Sequence, residues 1–381
     1  MSYHLILKTG DSEIRAWRNL SKDRKSMVSV HCEITRGRKK PNKDKSAPFE
    51  YNIDKVFEVI RTDFQDCEIC VVDITREPTL KSTETENLGM PQDGYRDWVA
   101  AVNRLYSENP KIRPTLIVNP NADDDFETFQ SDMYAQFDAF SDVFDLISYR
   151  ASVLHDDNFV DDLLMLADKV NAYVKQGNVF EVLLDFECIQ PSTAALHASY
   201  VAPIIREIRQ AIPDARIVSV GTSFPKSVTD LGGDDTDEFR LEEFYLNEEI
   251  NRTQNQEVEY GDYGSINPIR NDFNPPVGIH LRARIDFPTD KQTVFYHRVA
   301  PTIDKASNQL LSPRVAMYKA AAKLVVSDPK FSPISDSWGC DKIIEAARKS
   351  PEGKSPSFWI SVRMELHICR RINDNRTRIG N

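Results

Sequence analysis

Eight apolar runs of strand length, each separated from the next by a helical pattern, constrain this chain more than any other feature of its sequence. The runs are YHLILKT (3–9), MVSVHCEIT (27–35), EICVVDI (68–74), RPTLIVN (113–119), VFDLISYR (143–150), VFEVLLDFECI (179–189), ARIVSVGTS (215–223) and VEYGDYG (258–264). Between them lie stretches such as IDKVFEVIRTDF, YRDWVAAVNRLY, FVDDLLMLADKVNAYV and YVAPIIREIRQAI, in which apolar residues recur at three and four. Strand then helix, repeated, implies parallel strands joined by helical crossovers. Eight such units within about 265 residues match the size of a (β/α)8 barrel, for which about 250 is typical. A doubly wound open sheet is the rival.

Strand parity separates the two. Side chains alternate between faces, so in VLLDFECIQ one face holds Val182, Leu184, Phe186 and Cys188 and the other Leu183, Asp185, Glu187 and Ile189. The second run repeats this, with Val28, Val30, Cys32 and Ile34 opposed by Ser29, His31 and Glu33. In the first run Tyr3, Leu5 and Leu7 oppose His4, Ile6 and Lys8, and in the third Asp73 opposes Cys70, Val72 and Ile74. An open parallel sheet is covered by helices on both faces and reads as continuous apolar strands. One polar face, richest toward the strand C-termini, is the pattern of a TIM-like barrel, whose active sites lie at that end.

Lys8, Glu33, Asp73, Asp185 and Glu187 are therefore expected to gather at the mouth of the barrel, with Arg150 beside them. Buried charges must pair with one another, hold a cation or meet a ligand. An internal ion-pair network and a binding or catalytic pocket both satisfy that requirement. Asp73, Asp185 and Glu187 supply oxygens suited to Mg²⁺ or Mn²⁺, but no spacing in the sequence fixes a metal, and no cofactor is otherwise expected. His31 and His4 face inward, as acid-base groups or as core histidines with satisfied partners. Cys67 and Cys70 form a lone CxxC without a second pair and read as core cysteines. The glycines of YGDYG (260–264) suit close backbone approach but match no phosphate-binding or dinucleotide fingerprint, and neither GxSxG nor HExxH occurs.

Composition narrows the function classes. No apolar run reaches the ~18 residues of a membrane span, and MSYHLILKTG is too short and too polar for a secretion signal, so a cytoplasmic protein without membrane contact is expected. Six cysteines without regular spacing fit reduced thiols. A net charge of −11 argues against nonspecific nucleic-acid binding by the whole surface. Two local basic segments, RGRKKPNKDK (36–45) and the stretch from Arg370 to Arg378, keep nucleic acid among the candidate partners.

After the eighth run the pattern changes. IHLRARIDF (279–287) and QTVFYHRVA (292–300) alternate on either side of PTDK and read as a hairpin, so an insertion at 279–300 interrupts the last βα unit. VAMYKAAAKLVV (315–326) then supplies the closing helix, and SDSWGCDKIIEAARK and SFWISVRMELHICRRI give two further short helices across the barrel. The whole chain, 1–381, reads as one domain: a barrel to about residue 330 and a helical cap over 331–381.

ILKTG near the start, GTSFPKS (221–227), EYGDYGSINP (259–268), RARIDFPTD, SWGCDKI (337–343) and SFWISVRMELHICRRI occur together and in this order over essentially the whole chain. In this the sequence resembles the beta protein family of temperate and satellite phages and bacterial mobile elements. Cys340 and Asp341 follow SWG here, where many relatives place an acid directly after the glycine. The resemblance implies an accessory role in antiphage defence or in restraining a partner toxin, and the expected function is a recognition or toxin-restraining component that binds a protein partner encoded in the same locus or a phage-derived trigger. Candidate binding residues are His31, Arg150, Ser223, Asp262, Arg282, Arg284 and Trp338. The alternative is a metal-dependent phosphodiesterase. In it Asp73, Asp185 and Glu187 are metal ligands, His31 or Glu33 is the general base, and Lys8, Arg282 or Arg284 contacts phosphate.

Overall fold

The computed structural model describes residues 3–39, 51–119, 125–227, 234–269, 281–304, 307 and 310–379, with side chains described as far as 374. Most of the basic run at 36–45 lies outside the described residues. Its described arginines are engaged, Arg36 over the Tyr51 ring and Arg38 with Asp11.

The chain forms a closed (β/α)8 barrel. Its strands are β1 (Tyr3–Lys8), β2 (Val28–Ile34), β3 (Ile69–Ile74), β4 (Ile112–Leu116), β5 (Leu146–Ser152), β6 (Val179–Cys188) and β7 (Arg216–Thr222). The next strand, β8 (Thr236–Arg240), leaves for a second sheet, and β9 (Glu259–Asp262) takes the eighth place, pairing in parallel with β7 and β1. The apolar parity set of each strand faces outward. Val28, Val30, Cys32, Val182, Leu184 and Phe186 share one continuous core with Trp17, Val56, Ile60, Val201 and Ile205 from the surrounding helices. Burying each such side chain contributes about 1.5–3 kcal/mol. The inward set holds a smaller apolar belt, Ile6, Leu183, Val218, Val220 and Tyr263. This belt separates a polar layer at the mouth from another at the floor.

The helices are α1 (Asp11–Asn19), α2 (Lys22–Lys25), α3 (Ile53–Asp63), α4 (Thr83–Leu88), α5 (Gln92–Glu108), α6 (Phe126–Ser141), α7 (Phe159–Val174), α8 (Ala194–Ala211), α9 (Glu242–Thr253), α10 (Arg314–Ser327), α11 (Trp338–Arg348) and α12 (Pro356–Ile379). Their starts follow ordinary capping chemistry. Asn52, Ser82 and Asp125 each accept a backbone N–H of the first turn of α3, α4 and α6.

Beyond β9 the structure departs from the sequence reading in two places. The hairpin exists, as β10 (Ala283–Pro288) and β11 (Thr293–Val299), but β8 adds a third antiparallel strand beside β11. The segment TDEFR carries little apolar alternation and sits at a mostly exposed sheet edge, so it gives no period-2 signal. The closing helix is α12 and not α10. Helix α10 packs on β10, β11 and α11, whereas α12, at 24 residues far from short, lies along the barrel wall between α1 and α9. Ser357 and Ser361 meet Ser12 and Arg15 of α1, Arg371 lies over the Phe244 ring of α9 at 5.5 Å, and His367 reaches Asp262 on β9. Both helices carry apolar stripes. Only α12 also carries polar groups with partners on the barrel wall.

Two glycines of YGDYG are required by position. A Cβ at Gly261 would lie 2.9 Å from Val220 Cγ2 and 3.1 Å from the backbone oxygen of His4, where β9 closes the barrel between β7 and β1. Gly264 turns the chain at φ +58 against Leu5 and Met364.

Candidate functional site

Arg150 organises the mouth. Its guanidinium donates from Nε and Nη2 to Asp185 Oδ2 at 2.9 and 2.7 Å, and from Nη1 to Glu33 Oε1 at 2.8 Å and Asp73 Oδ2 at 3.0 Å. Nη2 also donates to Tyr263 Oη at 2.9 Å, and that hydroxyl donates to Asp185 Oδ2 at 2.7 Å. Thr75 Oγ1 donates to the second oxygen of Glu33, and Lys8 Nζ stands 3.8 Å from it. The remaining oxygens of Asp73 and Asp185 accept the backbone N–H of Ile74 and Glu187. All these charged groups are buried, Asp185 completely and Lys8, the most exposed, at 8%. Burial pushes the Glu33 carboxyl up, but Lys8 and Arg150 more than offset it and hold the group below its ordinary range. Burial opposes the charge on Arg150 too, yet Tyr263, Asp185, Glu33 and Asp73 hold it well above the usual value.

Parity had placed Glu187 in the same cluster, and the structure removes it. The β6 register shifts between Asp185 and Cys188, and Glu187 adopts φ +53, so its side chain swings to the rim. There it accepts from Ser152 Oγ at 2.9 Å and lies 3.6 Å from His155. Asp73, Asp185 and Glu187 consequently do not converge as a ligand set among the described residues, and the Arg150 guanidinium lies against both aspartates. The segment after β9 covers the mouth. Lys8 Nζ donates to the carbonyl of Pro268, and Asn267 Nδ2 donates to the carbonyl of Phe224.

The other candidates fall elsewhere. Arg282 pairs with Asp235, and Arg284 pairs with Asp286 while stacking over Tyr296 at 4.0 Å, so both serve the three-stranded sheet. Arg370 donates to Ser332 and Pro288 and Arg371 is buried, so the start of the C-terminal basic stretch turns inward. Trp338 opens α11, where its N–H and that of Gly339 point at Glu365 of α12 at 3.2 and 2.9 Å, and the Ser337 hydroxyl donates to the same carboxylate at 2.7 Å. A carboxylate is stabilising at a helix N-terminus. Here α12 supplies it, while Cys340, directly after the glycine, is buried with its sulfur 3.1 Å from the Ile334 N–H.

Ser223 and Asp262 belong to the outer wall. Asp262, fully buried, accepts from the hydroxyls of Tyr3 and Tyr260, from the Gly264 N–H at 2.7 Å and from His367 Nε2 at 2.7 Å. Beside it Glu243 Oε2 accepts both the N–H and the hydroxyl of Ser223, while Oε1 lacks a hydrogen-bond partner. Burial, then the Asp262 charge, pushes Glu243 up to about 7. A carboxyl raised on folding favours the protonated native state, so its contribution is largest below the unfolded value near ~4.3 and declines as pH rises to about 7. Glu243→Gln keeps an acceptor for Ser223 and removes the charge. It is expected to flatten that slope and to be more stable than the parent at pH 8 by about 3 kcal/mol in urea denaturation.

At the floor the inward-facing His31 and His4 meet Glu181, Glu259 and Arg216, which the sequence reading passed over. His31 is below the apolar belt, not at the mouth, with Nε2 3.2 Å from His4 Nδ1 and 3.5 Å from Glu181 Oε1. His4 Nδ1 is 3.6 Å from Glu181 Oε2, and its Nε2 is 2.7 Å from Glu259 Oε2. Arg216 stands 3.6 Å from Glu181 and 3.7 Å from Glu259. Burial, then His4, holds the His31 imidazole well below its usual range. Glu181 shares its face with Leu183 and Asp185, so parity carried the signal two residues earlier in the same strand.

Fold, sealed mouth and polar floor set the terms for comparison with known proteins. The family model described as Beta protein matches residues 3–373, and the chain belongs to the Beta protein family. It is similar to "Protein beta" of Enterobacteria phage P4, at 24% identity over 374 residues, covering 97% of this chain and 93% of that protein. Among the described residues no helix is long and apolar enough to cross a membrane.

Proposed function

We propose that this protein is a phage or mobile-element accessory protein that acts in antiphage defence by binding a protein partner encoded in its own locus, with restraint of a toxic partner as its mode of action. The observation that carries the reading is the state of the barrel mouth. Glu33, Asp73 and Asp185 are already committed to one guanidinium beneath a covering loop, the arrangement of an internal ion-pair network. Recognition then falls to the exterior, and a chain of net charge −11 favours a basic partner. The groove of about 470 Å³ between α3 and α5, lined by Lys55, Glu58, Arg61, Arg104 and Glu108 among others, offers such a partner a concave surface of mixed charge. The phosphodiesterase alternative, with its site at the mouth, needs Mg²⁺ or Mn²⁺ where Arg150 stands.

The test uses residues that a hydrolase would need and a binding protein would not. Glu187→Gln and Asp73→Asn are expected to protect cells from phage in proportion to the folded protein they produce, and Glu187→Gln, at the rim, to shift stability by less than about 1 kcal/mol. Coexpression with the neighbouring genes is expected to yield a defined complex on which protection depends. Folded variants that lose protection while still forming the complex would overturn the reading.

A further inference from the structure

The floor of the barrel has the geometry of a metal centre. His4 Nδ1 and His31 Nε2 lie 3.2 Å apart, and the Glu181 carboxylate meets them with one oxygen each, Oε1 3.5 Å from His31 and Oε2 3.6 Å from His4, so that one ligand atom from each of three strands falls within 4.8 Å of the others. A tetrahedral ion with ligands at about 2.0–2.2 Å sets its ligand atoms about 3.3–3.6 Å from one another. We propose that His4, His31 and Glu181 bind one transition-metal ion of the Zn²⁺ class, with water at the fourth position.

Independent features support the assignment. Glu181, 1% exposed, turns Oε1 toward His31, where that oxygen makes no hydrogen bond of good geometry although the Ser148 hydroxyl acts on the same carboxylate. Leaving such a group unmatched costs about 1–3 kcal/mol, which a metal bond removes. The far nitrogen of His4 is held by Glu259 at 2.7 Å, the carboxylate–histidine–metal relay that fixes ring orientation and raises ligand basicity. Imidazole and carboxylate together suit Zn²⁺, and with no thiolate nearby nothing selects a softer ion. Glu259 and Arg216, with side chains 22% and 32% exposed, mark the way in from the barrel floor. The contrast with the outer-wall group is instructive. Asp262 and His367 stand 2.7 Å apart, a hydrogen bond and too close to be two edges of one coordination sphere.

The competing occupant of the floor is a proton. With His31 Nε2–H donating to His4 Nδ1 and His4 Nε2–H donating to Glu259, ordinary hydrogen bonds satisfy the same short contacts without metal. The full-length protein, freed of metal by chelator and then titrated with Zn²⁺, is expected to bind one equivalent per chain and to gain about 3 K in Tm at a hundredfold excess over Kd. Co²⁺ in its place is expected to give the intense visible bands of a four-coordinate ion. Glu181→Gln and His31→Gln are expected to abolish both. Absence of stoichiometric uptake, a weak six-coordinate Co²⁺ spectrum, or binding that survives in folded Glu181→Gln would each overturn the assignment in favour of the proton. The wild-type cobalt spectrum decides the matter even where a variant fails to fold. Neither result depends on the partner-binding reading.

Discussion

Replacement of Arg150 by Met is expected to destabilise the protein by about 3–5 kcal/mol, the cost typical of removing one partner from a buried ion-pair network. The substitution keeps much of the side-chain volume but strands Glu33, Asp73 and Asp185, all under 5% exposed, with Lys8 3.8 Å from Glu33. Glu33 is held below its ordinary range in the native protein, so its contribution is present above the unfolded value near ~4.3 and lost as pH falls through the folded one. In Arg150→Met that stabilisation disappears, and the deficit relative to the parent should shrink as pH falls low enough to protonate Glu33 in the parent. Urea denaturation at pH 7.5 and below about pH 4 measures both quantities. Combining Arg150→Met with Asp185→Asn should cost less than the sum of the two single changes, with a coupling of about 0.5–3 kcal/mol. A full additive cost would mean that the two groups do not share one network.

Asp262→Ala is expected to be comparably severe, at about 3–5 kcal/mol. It removes the common acceptor of two tyrosine hydroxyls, a histidine and a backbone N–H, all in the wall between β9 and α12. Arg371, fully buried nearby, loses a neighbouring negative charge as well. The effect is also topological, because Asp262 ties the closing helix to the last barrel strand. Burial pushes the Asp262 carboxyl up, but His367 and the hydroxyl donors outweigh burial and hold it below its ordinary range. Its stabilisation is therefore complete above the unfolded value near ~3.9 and lost as pH falls through the folded value. The gap between parent and variant should narrow below about pH 4, and narrow again as pH rises toward about 7, because loss of the Asp262 charge relieves the variant of part of the cost of ionising Glu243. Hydrogen exchange offers a second measure, in which α12 should lose protection ahead of strands β2 to β6.

How far the mouth cluster was legible depends on which physical relation joins each residue to it. Glu33, Asp73 and Asp185 follow from alternation alone, because a strand with one apolar face has only one place to put its acids. Arg150 follows from the same rule, but its role as the shared donor does not. That role depends on the reach of a long side chain across the barrel to β2 and β3, which one-dimensional periodicity does not encode. Glu187 illustrates the limit of parity. A single residue at positive φ breaks the alternation after Asp185, and nothing in FEC announces the shift. Ser223 and Asp262 lie on the outer wall, because β9 presents Asp262 to α12 and not to the barrel interior and Ser223 bonds to Glu243 beside it.

The sequence by itself determined the number of barrel strands, their parallel order, and the division of each strand into a helix-facing and an interior-facing set. These properties are local, set by steric alternation and by the need to bury apolar side chains. The tertiary structure alone decided which interior residues share a level, that His4, His31 and Glu181 meet at the floor while Arg150 gathers the acids at the mouth, and that α12 closes the barrel in place of α10. Those outcomes rest on strand stagger, on one bulge, and on polar partners far apart in the chain, such as Asp262 and His367. Long-range complementarity fixes them, and no short window of sequence contains both halves of the contact.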